Sequence, residues 1–282
     1  FFVTARGWED LSEILKSYEE LQVEIGEELI GEFLQKEEIA RDFAGYYRLY
    51  EKYKSDYQIQ EILDGNVTSG QLKTCCDMGK KASFEERFTV TEMLLEAVTE
   101  RISVFQKIDE KTEKLYENLK FLKIFLQEKN SVEAMEQFIA SRRKALDAKI
   151  CSELLTAEEA AREEEQIRIL EEYFFQLKEL HISDVAEGIE QIVERFGNVC
   201  RLRNEKLEET KKMLELAFSF LEECFGEGQE LLLFETGLTG DDRCSIFISQ
   251  YGCPSYFKHC ELLLYSKKEN EMRKECRDLL EE

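Results

Sequence analysis

The chain has 282 residues, 38 of them basic and 61 acidic, giving a formal charge of −23. So large an acidic excess argues against nucleic acid or an anionic membrane surface as the main partner, because both need a basic face, while leaving room for a local basic patch. One proline, 14 glycines, 43% hydrophobic and 35% charged residues indicate a mostly helical chain with a real core and solvated outer faces.

The elements follow in chain order. Thr4 is placed to cap a first helix, with Glu9 and Asp10 in its early turns and Trp8, Leu11, Ile14, Leu15, Tyr18 and Leu21 at helical spacing. A second helix is expected from Glu27 to Leu34 and a third from Glu37 to Lys54. A short fourth stops at the Asp64-Gly65 turn. Residues 1–64 thus read as a compact, aromatic-rich, lid-like helical subdomain. Residues 65–82 have three glycines and little periodicity, and read as a connector with at most one helical turn.

Ser83 and Glu86 form a capping-box pattern ahead of a helix reaching about residue 129. Its stripe, from Leu95 through Val98, Ile102, Phe105 and on to Leu126, steps by three and four, as in a coiled coil. A helix of that length spans roughly 65–70 Å, which suggests a projecting arm. A turn at Lys129-Asn130-Ser131 opens a helix over 131–155, and Thr156 with Glu159 caps the next. His181-Ile182-Ser183 breaks that helix, with Ser183 as the expected cap of a last long helix over 184–224, in which Gly197 is the glycine of interest. Residues 83–225 read as an elongated antiparallel bundle or coiled-coil arm. Residues 226–282 read as a C-terminal helical segment packing back on 1–64. In it LLLF (231–234) is helix in preference to strand, and 254–265 and 267–281 are amphipathic helices. The fold class is all-α.

Nine scattered cysteines, an odd number in a sizeable chain, differ from a small secreted disulfide framework and suggest reduced thiols in a cytoplasmic protein. No apolar run reaches about 18 residues, so no membrane-spanning helix is expected.

Catalytic motifs are sparse. CDMGKKA (76–82) lacks the first glycine and the Ser/Thr of a phosphate-cradling loop. His181 and His259 are expected at the surface or in structural roles. In CPSYFKHC (253–260), adjacent ligands at His259-Cys260 suit zinc poorly, so no metal is expected and the cysteines act as small hydrophobes. Cys75-Cys76 is a vicinal pair of low information. Arg6 is the exception. A cation in the first turn opposes the helix dipole, so either an acidic neighbour (Glu9 or Asp10) or a ligand phosphate is expected to compensate it.

FVTARGWEDLSEILKSYEEL (2–21) resembles the start of the helical lid of MoxR-like AAA+ ATPases. QKEEIARDFAGYYRLYEKYKSDYQIQEILDG (35–65), GEGQELLLFETGLT (226–239) and FISQYGCPSYFKHCELLLY (247–265) look like the C-terminal half of bacterial members. The resemblance covers about 120 residues and leaves the long middle as generic coiled coil. It implies that Arg6 is the sensor-2 arginine, which reads the nucleotide phosphates. It also implies an N-terminal AAA+ core of the same chain preceding Phe1, carrying Walker A, Walker B, sensor 1 and the arginine finger. The first residue is phenylalanine where an initiator methionine would stand, and the apolar Phe1-Phe2-Val3 lead-in is then read as a domain seam. ATP and Mg would act in the full-length protein, a homo-oligomer with chaperone-like function beside a von Willebrand A domain protein, with no nucleic acid or membrane partner. These residues alone would not hydrolyse ATP. Two other readings stay open: a stand-alone acidic helical scaffold, and an enzyme using the C-terminal cysteines.

Overall fold

A computed structural model of the chain describes residues 3–21, 23, 25–126 and 130–264, with side chains described through Cys260. Phe1, Phe2 and the helix expected over 267–281 lie outside the described residues, as do 127–129 of the expected turn. All regular structure among the described residues is α-helix, as expected: α1 Ala5–Glu20, α2 Glu27–Leu34, α3 Glu37–Tyr57, α4 Ile59–Asp64, α5 Ser69–Gly79, α6 Phe84–Phe125, α7 Ser131–Cys151, α8 Ala157–Glu179, α9 Val185–Phe225, α10 Gln229–Gly240, α11 Asp242–Tyr251 and α12 Pro254–Leu264. The LLLF segment is helical, inside α10. The chain forms two compact units. One comprises Phe1–Val98, Met213–Gly240 and Pro254–Glu282; the other comprises Thr99–Lys212 and Asp241–Cys253.

In the first unit, the Thr4 hydroxyl accepts from the Gly7 amide at 3.2 Å, which starts α1 as its sequence suggests. Gly7 has a packing reason: a Cβ there would lie 3.0 Å from the Phe33 carbonyl oxygen of α2. Leu11 and Leu15 of α1, Ile30 and Leu34 of α2, and Ala40, Ala44 and Tyr47 of α3 close one core. Each large side chain buried there contributes about 1.5–3 kcal/mol. Trp8 meets the Phe43 ring edge-on at 5.2 Å. Gln58, at φ 51°, separates α3 from α4, and Gly65, at φ 71°, closes α4.

The glycine-rich stretch expected as a connector contains α5, an 11-residue helix opened by a full capping box between Thr68 and Gln71. The T-x-x-Q signal is in the sequence but is masked by the glycines around it. Of these glycines, Gly79 has a packing role: it allows Phe225 to approach, since a Cβ would meet that ring at 2.8 Å, whereas one at Gly70 would meet nothing within 4 Å.

In the second unit, Leu115 and Leu122 of the α6 stripe and Leu126 just after it pack with Met135, Phe138 and Ile139 of α7, Leu170, Tyr173 and Leu177 of α8, and Ile192 of α9. Asn130 caps α7 through the Glu133 amide at 2.8 Å. The Thr156–Glu159 capping box forms at the start of α8. At α9 the expected cap moves by one residue. Asp184, rather than Ser183, accepts from the Ala186 and Glu187 amides at 2.9 and 3.1 Å, both on Oδ2, and its negative charge suits the positive end of the helix dipole where a neutral Ser hydroxyl does not. The glycine that matters in α9 is Gly188, whose Cβ would sit 2.5 Å from the Cβ of Ser131, while one at Gly197 would meet nothing within 4 Å.

A polar clamp joins α6, α9 and α11 in this unit. Arg203 donates to Asp109 from Nε at 2.7 Å and to the Tyr251 hydroxyl at 2.7 Å, and that hydroxyl donates to the other Asp109 oxygen at 2.6 Å. The guanidinium also lies 5.5 Å from the Phe105 ring centre. Burial and then the Asp109 hydrogen bond push the Tyr251 phenol up to about 12, so it keeps its proton at any physiological pH.

Candidate functional site

Arg6 lies in the first turn of α1, two residues after the cap. Its side chain is 87% exposed, and its ion pair, Nε to Asp10 Oδ2, is 3.8 Å long at i,i+4 spacing. The acidic neighbour is therefore Asp10, and no acidic residue lies in the first turn itself. An exposed pair of that length contributes about 0–1 kcal/mol, so the guanidinium can leave Asp10 at little cost. The first turn of α1 thus combines the positive end of a helix dipole with a loosely held cation, chemistry that suits an oxyanion.

The CDMGKKA segment forms no phosphate-cradling loop. Cys76 to Gly79 of CDMGKKA are the last turns of α5, and helical backbone cannot wrap its amides round a phosphate as a glycine-rich loop does.

A second polar concentration, for which the sequence gives no clear motif, lies where α9, α10 and α12 meet in the first unit. His259 is 2% exposed. Its Nε2 contacts Glu222 Oε1, which also accepts from Lys258 Nζ at 3.1 Å. The imidazole stacks on Phe218 at 5.8 Å and 12°. Burial acts to raise the Glu222 carboxyl, but the hydrogen bonds from Lys258 and His259 prevail and hold it below its usual range. Glu215 accepts from the Ser255 hydroxyl at 2.5 Å and anchors the start of α12.

Glu235 of α10 is also 2% exposed, and neither carboxylate oxygen has a hydrogen-bond partner. Burial raises its carboxyl, against the opposing field of His259. The Tyr256 hydroxyl shares a 2.8 Å hydrogen bond with Thr239. Burial raises the Cys260 thiol, which disfavours the thiolate a nucleophile needs. The cluster can hold a proton on a buried carboxyl, but it has no activated nucleophile. Its sequence signal is that Glu235 shares a face of α10 with the buried Leu231, Phe234 and Leu238. No group of three or more His, Cys, Asp or Glu side chains is placed to hold a metal among the described residues.

The expectation of reduced thiols is corrected at one pair. Cys76 of α5 and Cys224 of α9 form a disulfide across 148 residues, with Cα atoms 4.2 Å apart. Packing of α5 against the end of α9 brings them together, and spacing along the chain carries no trace of that. Cys75, Cys151, Cys200, Cys244, Cys253 and Cys260 lie outside that disulfide. No helix of the described residues is long and apolar enough to cross a membrane. In comparison with known proteins, the chain matches no family model, no curated protein and no solved structure.

Proposed function

We propose that the chain is the nucleotide-sensing and partner-binding region of a MoxR-like AAA+ ATPase with chaperone-like activity, working with ATP and Mg in the cytoplasm and hydrolysing no ATP by itself. The observation that carries this reading is Arg6. Within T-A-R-G-W it occupies the first turn of a capped helix, 87% exposed and held only by a 3.8 Å pair with Asp10. An arginine that reads a phosphate on another module has to be held at its base and free at its tip. Partner binding draws support from exposed apolar side chains on otherwise charged helices, among them Phe121, Ile124 and Leu202. A von Willebrand A domain protein is the proposed partner.

The test is the intact protein carrying its AAA+ core. Arg6→Ala should abolish ATP-dependent assembly and lower ATPase activity about tenfold or more, the cost of one charge-assisted phosphate contact, while leaving the helical content unchanged. Unaltered assembly, or a coding sequence with no phosphate-binding loop ahead of residue 1, would overturn the reading. The second reading, an acidic helical scaffold, is favoured by the same exposed apolar side chains. It predicts that Arg6→Glu leaves partner capture intact and that Phe121→Ser with Ile124→Ser removes it.

A further inference from the structure

The second unit contains a cavity of about 490 Å³ bordered by α6, α8 and the start of α11, within the roughly 300–1,000 Å³ of small-molecule sites. Its lining reverses the charge of the chain. Lys107, Lys111 and Lys114 of α6 line it with Arg162 of α8 and Arg243 of α11. The three lysines stand at i, i+4 and i+7, on one face of the helix. Like charges at such spacing cost a few tenths of a kcal/mol per pair. In a chain with 61 acidic residues to 38 basic ones, a cationic row of this kind is out of character.

The two carboxylates at the rim do not neutralise it. Glu165 is taken up by Lys111 at 2.5 Å and Arg162 pairs with Glu158 at 3.3 Å, leaving Glu110 against Lys107, Lys114 and Arg243. Lys107 and Lys114 make no ion pair among the described residues. Arg243 is held in place by Asp241 at 3.0 Å and by the Ser103 hydroxyl at 3.3 Å, and Gln106 donates to its backbone carbonyl at 2.9 Å. One wall is therefore positioned by hydrogen bonds, and the lysine tips are left for a ligand.

A second, independent feature lies at the same place. Gln166 also lines the cavity and is 5% exposed. Its Nε2 donates to the Lys111 carbonyl at 3.1 Å. That bond fixes the amide orientation and leaves Oε1 a buried acceptor with no partner. An unmet buried acceptor costs about 1–3 kcal/mol, which a ligand hydroxyl or amine would recover.

We propose that this cavity binds a small phosphorylated molecule of nucleotide size, its phosphates on Lys107, Lys114 and Arg243 and a hydroxyl or amine on Gln166 Oε1. The site is separate from Arg6 and independent of the reading built on it. Calorimetric titration at low ionic strength with inorganic pyrophosphate, ADP, ribose 5-phosphate and adenosine tests it. Pyrophosphate and ADP should bind saturably and adenosine should not. Tighter binding of ADP than of ribose 5-phosphate would identify a nucleotide, and the reverse order a sugar phosphate. Lys107→Glu with Lys114→Glu, both on exposed side chains, should weaken pyrophosphate about tenfold or more at unchanged thermal stability. Gln166→Leu should weaken ADP but leave pyrophosphate unaffected, and Arg6→Ala should change neither. Absence of saturable pyrophosphate and ADP binding, or binding indifferent to the lysine reversals, would overturn the proposal. So would a polyglutamate peptide binding where pyrophosphate does not, since that would make the cavity a protein-docking surface.

Discussion

Each unit contains a polar cluster, half-buried in the second and buried in the first, and the two are finished differently. In the second unit, Arg203, Asp109 and Tyr251 satisfy one another with three hydrogen bonds of 2.6–2.7 Å. Every charge has its counter-charge, and the phenol is locked in its neutral form. In the first unit, His259 and Lys258 share Glu222, but Glu235 lies nearby with both oxygens unpaired. A completed network specifies one geometry, whereas an incomplete one retains a group whose protonation the fold must subsidise. The first unit is also the one with the disulfide and with Arg6, so its stability is expected to respond to conditions that the second unit ignores.

The largest break in that contrast is chemical. Reducing the Cys76–Cys224 bond should lower the unfolding free energy of the first unit by about 2–5 kcal/mol, since the bond closes a loop of well over a hundred residues. Urea unfolding followed by the fluorescence of Trp8, the single tryptophan, should show the loss with reductant and in Cys224→Ala, and no further loss when the two are combined. Next, Arg203→Leu should cost the second unit about 2–3 kcal/mol, because it strands Asp109 in a half-buried site. Asp109→Leu in the same chain should return part of it, and a double-mutant cycle with no coupling would mean the clamp is ornamental.

A smaller effect separates two glycines of one helix. Gly188→Ala should cost about 1–3 kcal/mol through the clash with Ser131, while Gly197→Ala should stabilise by about 0.5–1 kcal/mol. Thermal unfolding of the pair would detect equal shifts if the α7–α9 approach were looser than described. The smallest effect is a slope. The carboxyl of Glu235 is raised, so between the usual carboxylate range and its elevated folded value the native state keeps a proton that the unfolded chain has released. Stability contributed by Glu235 is complete below the usual range and falls as pH rises through the folded value. Glu222 is lowered and acts oppositely, losing its contribution as pH falls. Glu235→Gln should flatten the decline toward neutral pH, and an unchanged profile would show that Glu235 is solvated after all.

Much of the fold is legible in the sequence because its signals are local. Thr4, Ser83 and the Thr156–Glu159 box begin helices through bonds three residues away, and the α6 stripe needs only its period to reveal a buried face. Arg6 is legible for the same reason: its position in a first turn and its reach to Asp10 are both matters of a few residues. The errors mark the limit of that reasoning. α5 escapes it because glycine content outweighs a capping box, and Ser183 loses to Asp184 because adjacent candidates differ only in which side chain finds the free amides.

The remaining features depend on which helix faces which. A carboxylate in an acidic chain reads as solvated surface, yet Glu235 is buried because its neighbours on α10 are Leu231, Phe234 and Leu238, and α12 covers it. Lys107 and Lys111 read as ordinary helix-surface residues until Arg162 and Arg243 are brought beside them from distant parts of the chain. Cys76 finds Cys224 only once α5 packs on α9. By itself, the sequence determined most of the helices, α5 and α11 apart, and the first-turn position of Arg6, because hydrogen bonds within a helix join residues three or four apart. Tertiary packing alone decided the disulfide, the unpaired Glu235 and the cationic cavity, because burial and charge pairing are set by distance in space, and side chains far apart in sequence meet there without any local signal.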